Sequence, residues 1–346
     1  MTGSVATPRP HRRWWIAALL VAGTALVVAT NGHDLVAASS AARRLDPAWG
    51  VLLILSSTVL LGAFVARHRV AQRTVGVDMP LAAVARAALA AQFVNSVSKS
   101  GGVAGVGAFT TEARRAGVSR ARTVAAYLLV ILFDQLALAV VLVGAVALLV
   151  ADGHFRSTDV VAIGVFAVYL TITLVIALWA TRSRSAVRAA YALPGRVAAW
   201  VSTTLLRRPR THVPDTTQAD ELHDAFAVAR SNGPASLRVL APALAVDLVC
   251  VAQLWLALQA LGVSTSPVVP LVSYAVATLF ATVGFVPGGI GLVEVSTAAV
   301  LHSFGVPLGV ALAAAVCARV AEFWIPLAVG AAVGHRYIAT DSGVGV

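Results

Sequence analysis

The amino-acid sequence predicts an all-α, polytopic membrane helix bundle, and three observations carry that expectation. The 346 residues are 59% hydrophobic and only 12% charged, against about 25% charged in a soluble domain. Several apolar runs reach or approach the ~20 residues needed to cross a bilayer. The net charge of +11 is carried almost wholly by arginine, Lys99 being the single lysine. Most arginines lie between the apolar runs, which fits the positive-inside rule and contact with anionic headgroups rather than nucleic acid.

Residues 1–13 form a basic cytoplasmic tail, with Arg9, Arg12 and Arg13. The transmembrane domain is expected over 14–336. Its first span covers about 14–31, with Trp14 and Trp15 at the interface. No small-residue cleavage site leads from it to a soluble domain, so it reads as an uncleaved span rather than a signal peptide. After a polar connector, span two covers about 49–66. Arg67, Arg69 and Arg73 follow it and mark the cytoplasmic side.

The stretch 80–98 is apolar but carries Arg86, Gln92 and Asn95, and it runs through Lys99 into GGVAGVGAF and Glu112. Arg114, Arg115, Arg120 and Arg122 keep the chain on the cytoplasmic side. The element 80–112 is therefore expected to enter the membrane and return. Span three, about 123–150, contains Asp134 and Gln135, and its length implies tilt. Span four covers about 159–180. The loop 181–235 is arginine-rich and cytoplasmic. Within it, 194–206 reads as an amphipathic surface piece and 215–226 as a short acidic helix.

Span five, about 236–261, contains Asp247, and span six covers about 268–285. Pro287, Gly288 and Gly289 then interrupt the apolar sequence. A short helix over about 292–304, a last span over about 308–334 and a tail at 337–346 complete the chain. The total is about seven or eight spans with one or two re-entrant glycine-rich elements. A re-entrant 287–306 puts the C-terminus outside. A full crossing puts it inside, which His335 and Arg336 favour.

The two polar interruptions look like copies of one design. Gly101-Gly102 and Gly288-Gly289 are separated by an offset of 187; Gly117-Val118 and Gly305-Val306, like Asp134 and Glu322, by 188. Transporters are often built from such repeats, with broken helices that meet near the midplane. Asp134 and Glu322 are then expected close to one shared cavity.

Asp134, Asp247, Arg319 and Glu322 fall inside apolar segments, where a charge costs at least ~2.5–3.5 kcal/mol. Such residues face a partner or a cavity. Arg319 and Glu322 share a helix face. They read either as an internal ion pair that lets the helix insert, or as an arginine that meets a lipid phosphate. Glu294 reads as a helix N-terminal cap or as part of a polar path. Asn95, Lys99 and the glycine turns could coordinate a headgroup, since such turns expose backbone N–H groups, and they equally suit plain turns. His302 reads as an interfacial residue. Cys250 and Cys317 read as small core residues, and no metal or cofactor is expected.

The segment PGGIGLVEVSTAAVLHSFGVPLGVALAAAVCARVAEFWIPL resembles the C-terminal signature of the lysylphosphatidylglycerol synthase transmembrane-region family, also called flippase-like membrane proteins. NSVSKSGGVAGVGAFTTEARRAGVSRARTVAAYLLVILFDQ is similar to that family's N-terminal signature, with Lys99-Ser100 where a proline often stands. The resemblance covers about 14 to 336. It implies a flippase-like protein of the cell membrane. The chain ends at Val346 without room for the acyltransferase-like domain of the aminoacyl-lipid synthases, so no enzyme activity is expected.

The expected cargo is a phospholipid or lipid-linked headgroup, drawn to phosphate by Arg319 and Lys99. Asp134, Glu294 and Glu322 would tune the groove. Alternatives are a scaffold for a separate lipid synthase or glycosyltransferase, docked on 181–235, and a membrane-embedded lipid-headgroup enzyme. The last lacks any nucleophile–base or metal spacing.

Overall fold

The structure is a computed structural model that describes residues 45–98, 103–151, 216–283 and 287–341, with scattered positions between 164 and 185. The basic tail, the span expected at 14–31, most of that at 159–180, the piece at 194–206, Lys99, Gly101 and Gly102 lie outside the described residues.

Every element described is helical. In chain order these are α1 (Pro47–Thr74), α2 (Leu81–Val97), α3 (Val106–Arg115), α4 (Arg120–Ala151), α5 (Thr216–Ser231) and α6 (Gly233–Leu237). There follow α7 (Leu240–Ala260), α8 (Val268–Val283), α9 (Leu292–Ser303), α10 (Leu308–Arg319) and α11 (Ile325–Asp341). Among the described residues four stretches are long and apolar enough to cross a membrane: Pro47–Thr74, Arg120–Ala151, Gly233–Ala260 and Leu308–Gly334. Their outer faces expose Val51, Leu55, Val143 and Leu248, as lipid-facing positions do. The chain is a multi-pass membrane protein.

Short helix pairs lie between the long ones. In the first pair, Val84 shares a buried cluster with Ala113, and Ala88 shares another with Phe109. The start of α2 thus meets the end of α3, and the two form an antiparallel hairpin. Likewise Val269 clusters with Leu301, and Val272 with Val300 and Phe304, so α8 and α9 form a second hairpin. The sequence reads 268–285 as a crossing. The observed α8 has 16 residues, about 24 Å at 1.5 Å per residue, and it folds back on α9.

The repeat extends further upstream than the glycine pairs. Gly76, Gly117, Gly262 and Gly305 all adopt positive φ, between 67° and 89°. Each closes a helix with the same two bonds. In the first case Gly76 N–H donates to Arg73 and Val77 N–H to Gln72; in the last, Gly305 donates to His302 and Val306 to Leu301. This is the Schellman closure, which needs a left-handed residue and so favours glycine. α1, the α2–α3 hairpin and α4 therefore correspond to α7, the α8–α9 hairpin and α10–α11.

The halves are inverted with respect to each other. Asp46, which caps α1, donates its N–H to Ala260 at the end of α7, at 2.8 Å. At the other end Thr74 Oγ1 donates to Ala235 O at 3.3 Å. Leu60 and Phe64 pack between these points on Cys250. α1 and α7 thus run antiparallel, and the hairpins that follow them start from opposite ends of the molecule. Each hairpin packs on the other half's long helix: α8 on α4 through Leu138, Val141, Val272 and Leu279, and α2 on α11 where Gly330 approaches Leu89 and Phe93.

The acidic helix expected at 215–226 is found as α5. Leu222, Ala225 and Phe226 pack on Ala121 and Ala125 of α4, and Ser119 donates to Glu221 at 2.9 Å.

Candidate functional site

The end of α2 meets the turn between α8 and α9. The second tip is a 3-10 turn, Pro287–Gly289, with Gly288 at φ 64°. A side chain on Gly288 would overlap the Phe323 ring and sit 3.2 Å from Ser96 O of the first hairpin. Glycine is required there by conformation and by this close approach. Glu294 Oε2 accepts the Gly291 N–H at 2.7 Å, which caps α9 and matches a carboxylate to the helix N-terminus.

Arg319 locks this tip. Its Nε donates to Glu294 Oε1 at 3.0 Å, one terminal nitrogen to Glu322 Oε1 at 3.2 Å, and the other to Gly288 O at 2.6 Å. The guanidinium lies 4.2 Å from the Phe323 ring centre. Every guanidinium nitrogen is thus engaged within the protein. Of the two readings offered for Arg319, these contacts describe the internal ion pair, here a clamp on the second tip, while the second N–H of each terminal nitrogen remains beyond these three bonds in a side chain that lines the cavity.

The helix widens just after Arg319. Pro326 has no N–H for the Glu322 carbonyl, and its ring crowds that carbonyl. Val320–Trp324 form a π-helical turn, a feature common at functional sites. Ser57 Oγ from α1 fills the buried Ala321 carbonyl at 2.9 Å.

The first half is clamped differently. Gly105 N–H donates to Asn95 Oδ1 at 2.8 Å, and Asn95 Nδ2 donates to Tyr127 at 2.8 Å. Tyr127 stacks on His68, which in turn packs on Phe109. Asp134 takes both its hydrogen bonds, each 3.0 Å, from a single terminal nitrogen of Arg67. Arg67 also lies 4.8 Å from the Phe64 ring centre. Its Nε is buried without a partner, whereas every nitrogen of Arg319 makes at least one bond.

The sequence reads Arg67 as a marker of the cytoplasmic loop. In the structure α1 continues past it to Thr74, and its side chain is only 12% exposed. A signal for it exists. Asp134 is a carboxylate inside an apolar helix with no basic residue within a turn, so its cation must come from another element.

A single cavity of about 490 Å³ joins these parts. Arg67, Asn95 and Asp134 line it from one half; Gly288, Arg319 and Glu322 from the other. Gly289 also lines it, while Glu294 reaches it through Arg319. Asp247 is buried outside the lining and accepts from Tyr274, which does line it, at 2.6 Å. His302 meets the Val306 carbonyl at 3.0 Å, away from the cavity, and both cysteines are free thiols. Among the described residues no cluster of three or more His, Cys, Asp or Glu side chains could hold a metal.

The base of the first hairpin carries a different charge cluster. Glu112 is 1% exposed and is held by Arg86 at 2.7 Å and Arg115 at 2.8 Å. Arg69 bonds Asp78 at 2.9 Å and the Met79 carbonyl nearby.

A family model described as the lysylphosphatidylglycerol synthase TM region matches residues 15–330. A UPF0104 membrane protein of Methanothermobacter thermautotrophicus is 35% identical over 85 residues, which span 25% of this chain and 25% of that protein.

Proposed function

The chain belongs to the lysylphosphatidylglycerol synthase transmembrane-region family, and from that premise we propose that it moves the polar headgroup of a phospholipid or lipid-linked molecule between leaflets. One observation carries this reading: one cavity is lined by the end of α2, by the second hairpin tip and by an arginine–carboxylate pair from each half. Inverted repeats with broken helices around one central site are the architecture of alternating access.

In this mechanism the headgroup enters the cavity while its acyl chains stay in lipid. Arg67 supplies the phosphate contact, because its Nε is unused and guanidinium–phosphate pairs are strong and directional. Asn95 holds the first tip, and Arg319 holds the second through Glu294 and Gly288. The protein sits in the cell membrane with its N-terminus in the cytoplasm. The Arg86, Arg114 and Arg115 end of the first hairpin faces the cytoplasm, as the positive-inside rule favours. The second hairpin enters from the opposite face, which returns the C-terminus to the cytoplasmic side.

The test is reconstitution of the full chain in liposomes with fluorescent phospholipids and headgroup-varied analogues. Faster leaflet exchange with protein than without supports the reading. Equal rates across all lipid classes would sink it.

A further inference from the structure

Four carboxylates lie in or beside the membrane-embedded core: Asp134, Asp247, Glu294 and Glu322. Three of them touch an arginine. Asp134 has Arg67, and Glu294 and Glu322 share Arg319. Asp247 differs. It lies within α7, is 9% exposed, and its hydrogen-bond partner among the described residues is the Tyr274 hydroxyl at 2.6 Å. A lone carboxylate in such a place is the costliest state open to it, since a buried charge needs a counter-charge or must be neutralised.

The surroundings give the pair a route to water. Val246, Cys250 and Tyr274 line the cavity, whereas Asp247 sits behind the phenol. The charged and titratable groups that act on the pair are Arg67 of α1, Asp134 of α4, Cys250 of α7 and Glu322 of the π turn. Arg67 and Asp134 are the same residues that form the first half's ion pair in the cavity. Displacing Arg67 from Asp134 onto an incoming anion changes the field at Asp247 without touching it.

We propose that Asp247 and Tyr274 form a proton-binding site, in which the Asp247 carboxyl takes and releases a proton through the Tyr274 hydroxyl to the cavity. The exchange balances. Hydronium in the cavity gives a proton to the phenol oxygen, the phenol passes its own proton to Asp247 Oδ1, and water remains. Release runs in reverse. As the coupling ion of lipid movement the proton rests on the transport reading; as a bound proton it does not.

The two are separable by experiment. Infrared spectra of the full chain in lipid nanodiscs at neutral pH are expected to show a carboxylic-acid C=O band. The band disappears in Asp247→Asn and persists in Glu322→Gln. Tyr274→Phe keeps the carboxyl but removes the phenol that the protonated carboxyl bonds to, so the band moves to higher wavenumber. Absence of the band in the native chain, or its persistence in Asp247→Asn, overturns the site. An unmoved band in Tyr274→Phe overturns the phenol's part, and this variant serves if Asp247→Asn fails to fold. In liposomes with fluorescent phospholipid, a pH gradient is expected to change the exchange rate of the native chain but not of Asp247→Asn. A gradient effect that survives in Asp247→Asn removes the coupling. No exchange at all, with the band intact, overturns the transport reading and leaves the proton site standing.

Discussion

The two halves place a carboxylate at corresponding points of a long helix, yet they neutralise it from different elements. Glu322 is held by Arg319, three residues earlier on its own helix, and the same arginine also grips Glu294 and the Gly288 carbonyl. Asp134 is held by Arg67 from another helix through one nitrogen. The second tip is tied by charge; the first is tied by the neutral Asn95–Tyr127 pair. One arginine therefore binds three acceptors on its own half, while the other binds a single carboxylate through one nitrogen. On the proposed reading the equivalent repeats divide labour, with the second serving as a frame and the first as the contact for an anion.

The sharpest way to break that division is Arg319→Gln. It strands two carboxylates that are 16% and 12% exposed, and breaking a buried pair costs about 3–5 kcal/mol. Thermal unfolding in nanodiscs should show a large loss, partly recovered by adding Glu322→Gln. Stability equal to the native chain would refute the clamp.

Gly288→Ala comes next. The added methyl meets the Phe323 ring at a left-handed φ of 64°, and strain of this kind costs about 1–3 kcal/mol. Leaflet exchange should fall with stability, because the tips are forced apart. Gly117→Ala is strained at the same kind of φ but has open space around it, so it should spare exchange more than Gly288→Ala does.

Arg67→Gln should separate the two readouts. Asp134 is 34% exposed, so the stability loss is discounted to about 1 kcal/mol. The exchange rate should drop more, on the order of tenfold, as one charge-assisted contact to the headgroup is lost. A variant that exchanges lipid at the native rate would remove Arg67 from the mechanism. Asn95→Ala is the mildest change. It removes the acceptor for Gly105 N–H, worth about 1 kcal/mol, and amide exchange at Gly105 should rise while the second tip is unaffected.

Much of this frame is legible in the chain. Gly117-Val118 and Gly305-Val306 announce matching helix ends because a Schellman closure needs glycine at one position. Asp134 and Glu322 stand out because hydrocarbon makes any charge conspicuous. The span at 268–285 was less legible. Its hydropathy is that of a crossing, and only the packing of Val269 and Val272 on the end of α9 shows a hairpin. Arg67 was hidden for a similar reason: one residue beyond an apolar run, it looks like every loop arginine.

The sequence by itself determined the helical membrane class, the positions of most helix ends and the existence of a repeat. These follow from local hydropathy and from backbone conformations that only glycine or proline permits. The tertiary structure alone decided that the halves are inverted, that Arg67 leaves its Nε unpartnered while every nitrogen of Arg319 is engaged, and that Asp247 is left to a phenol. A long side chain's partner depends on which distant helices pack beside it, and no spacing within one helix records that.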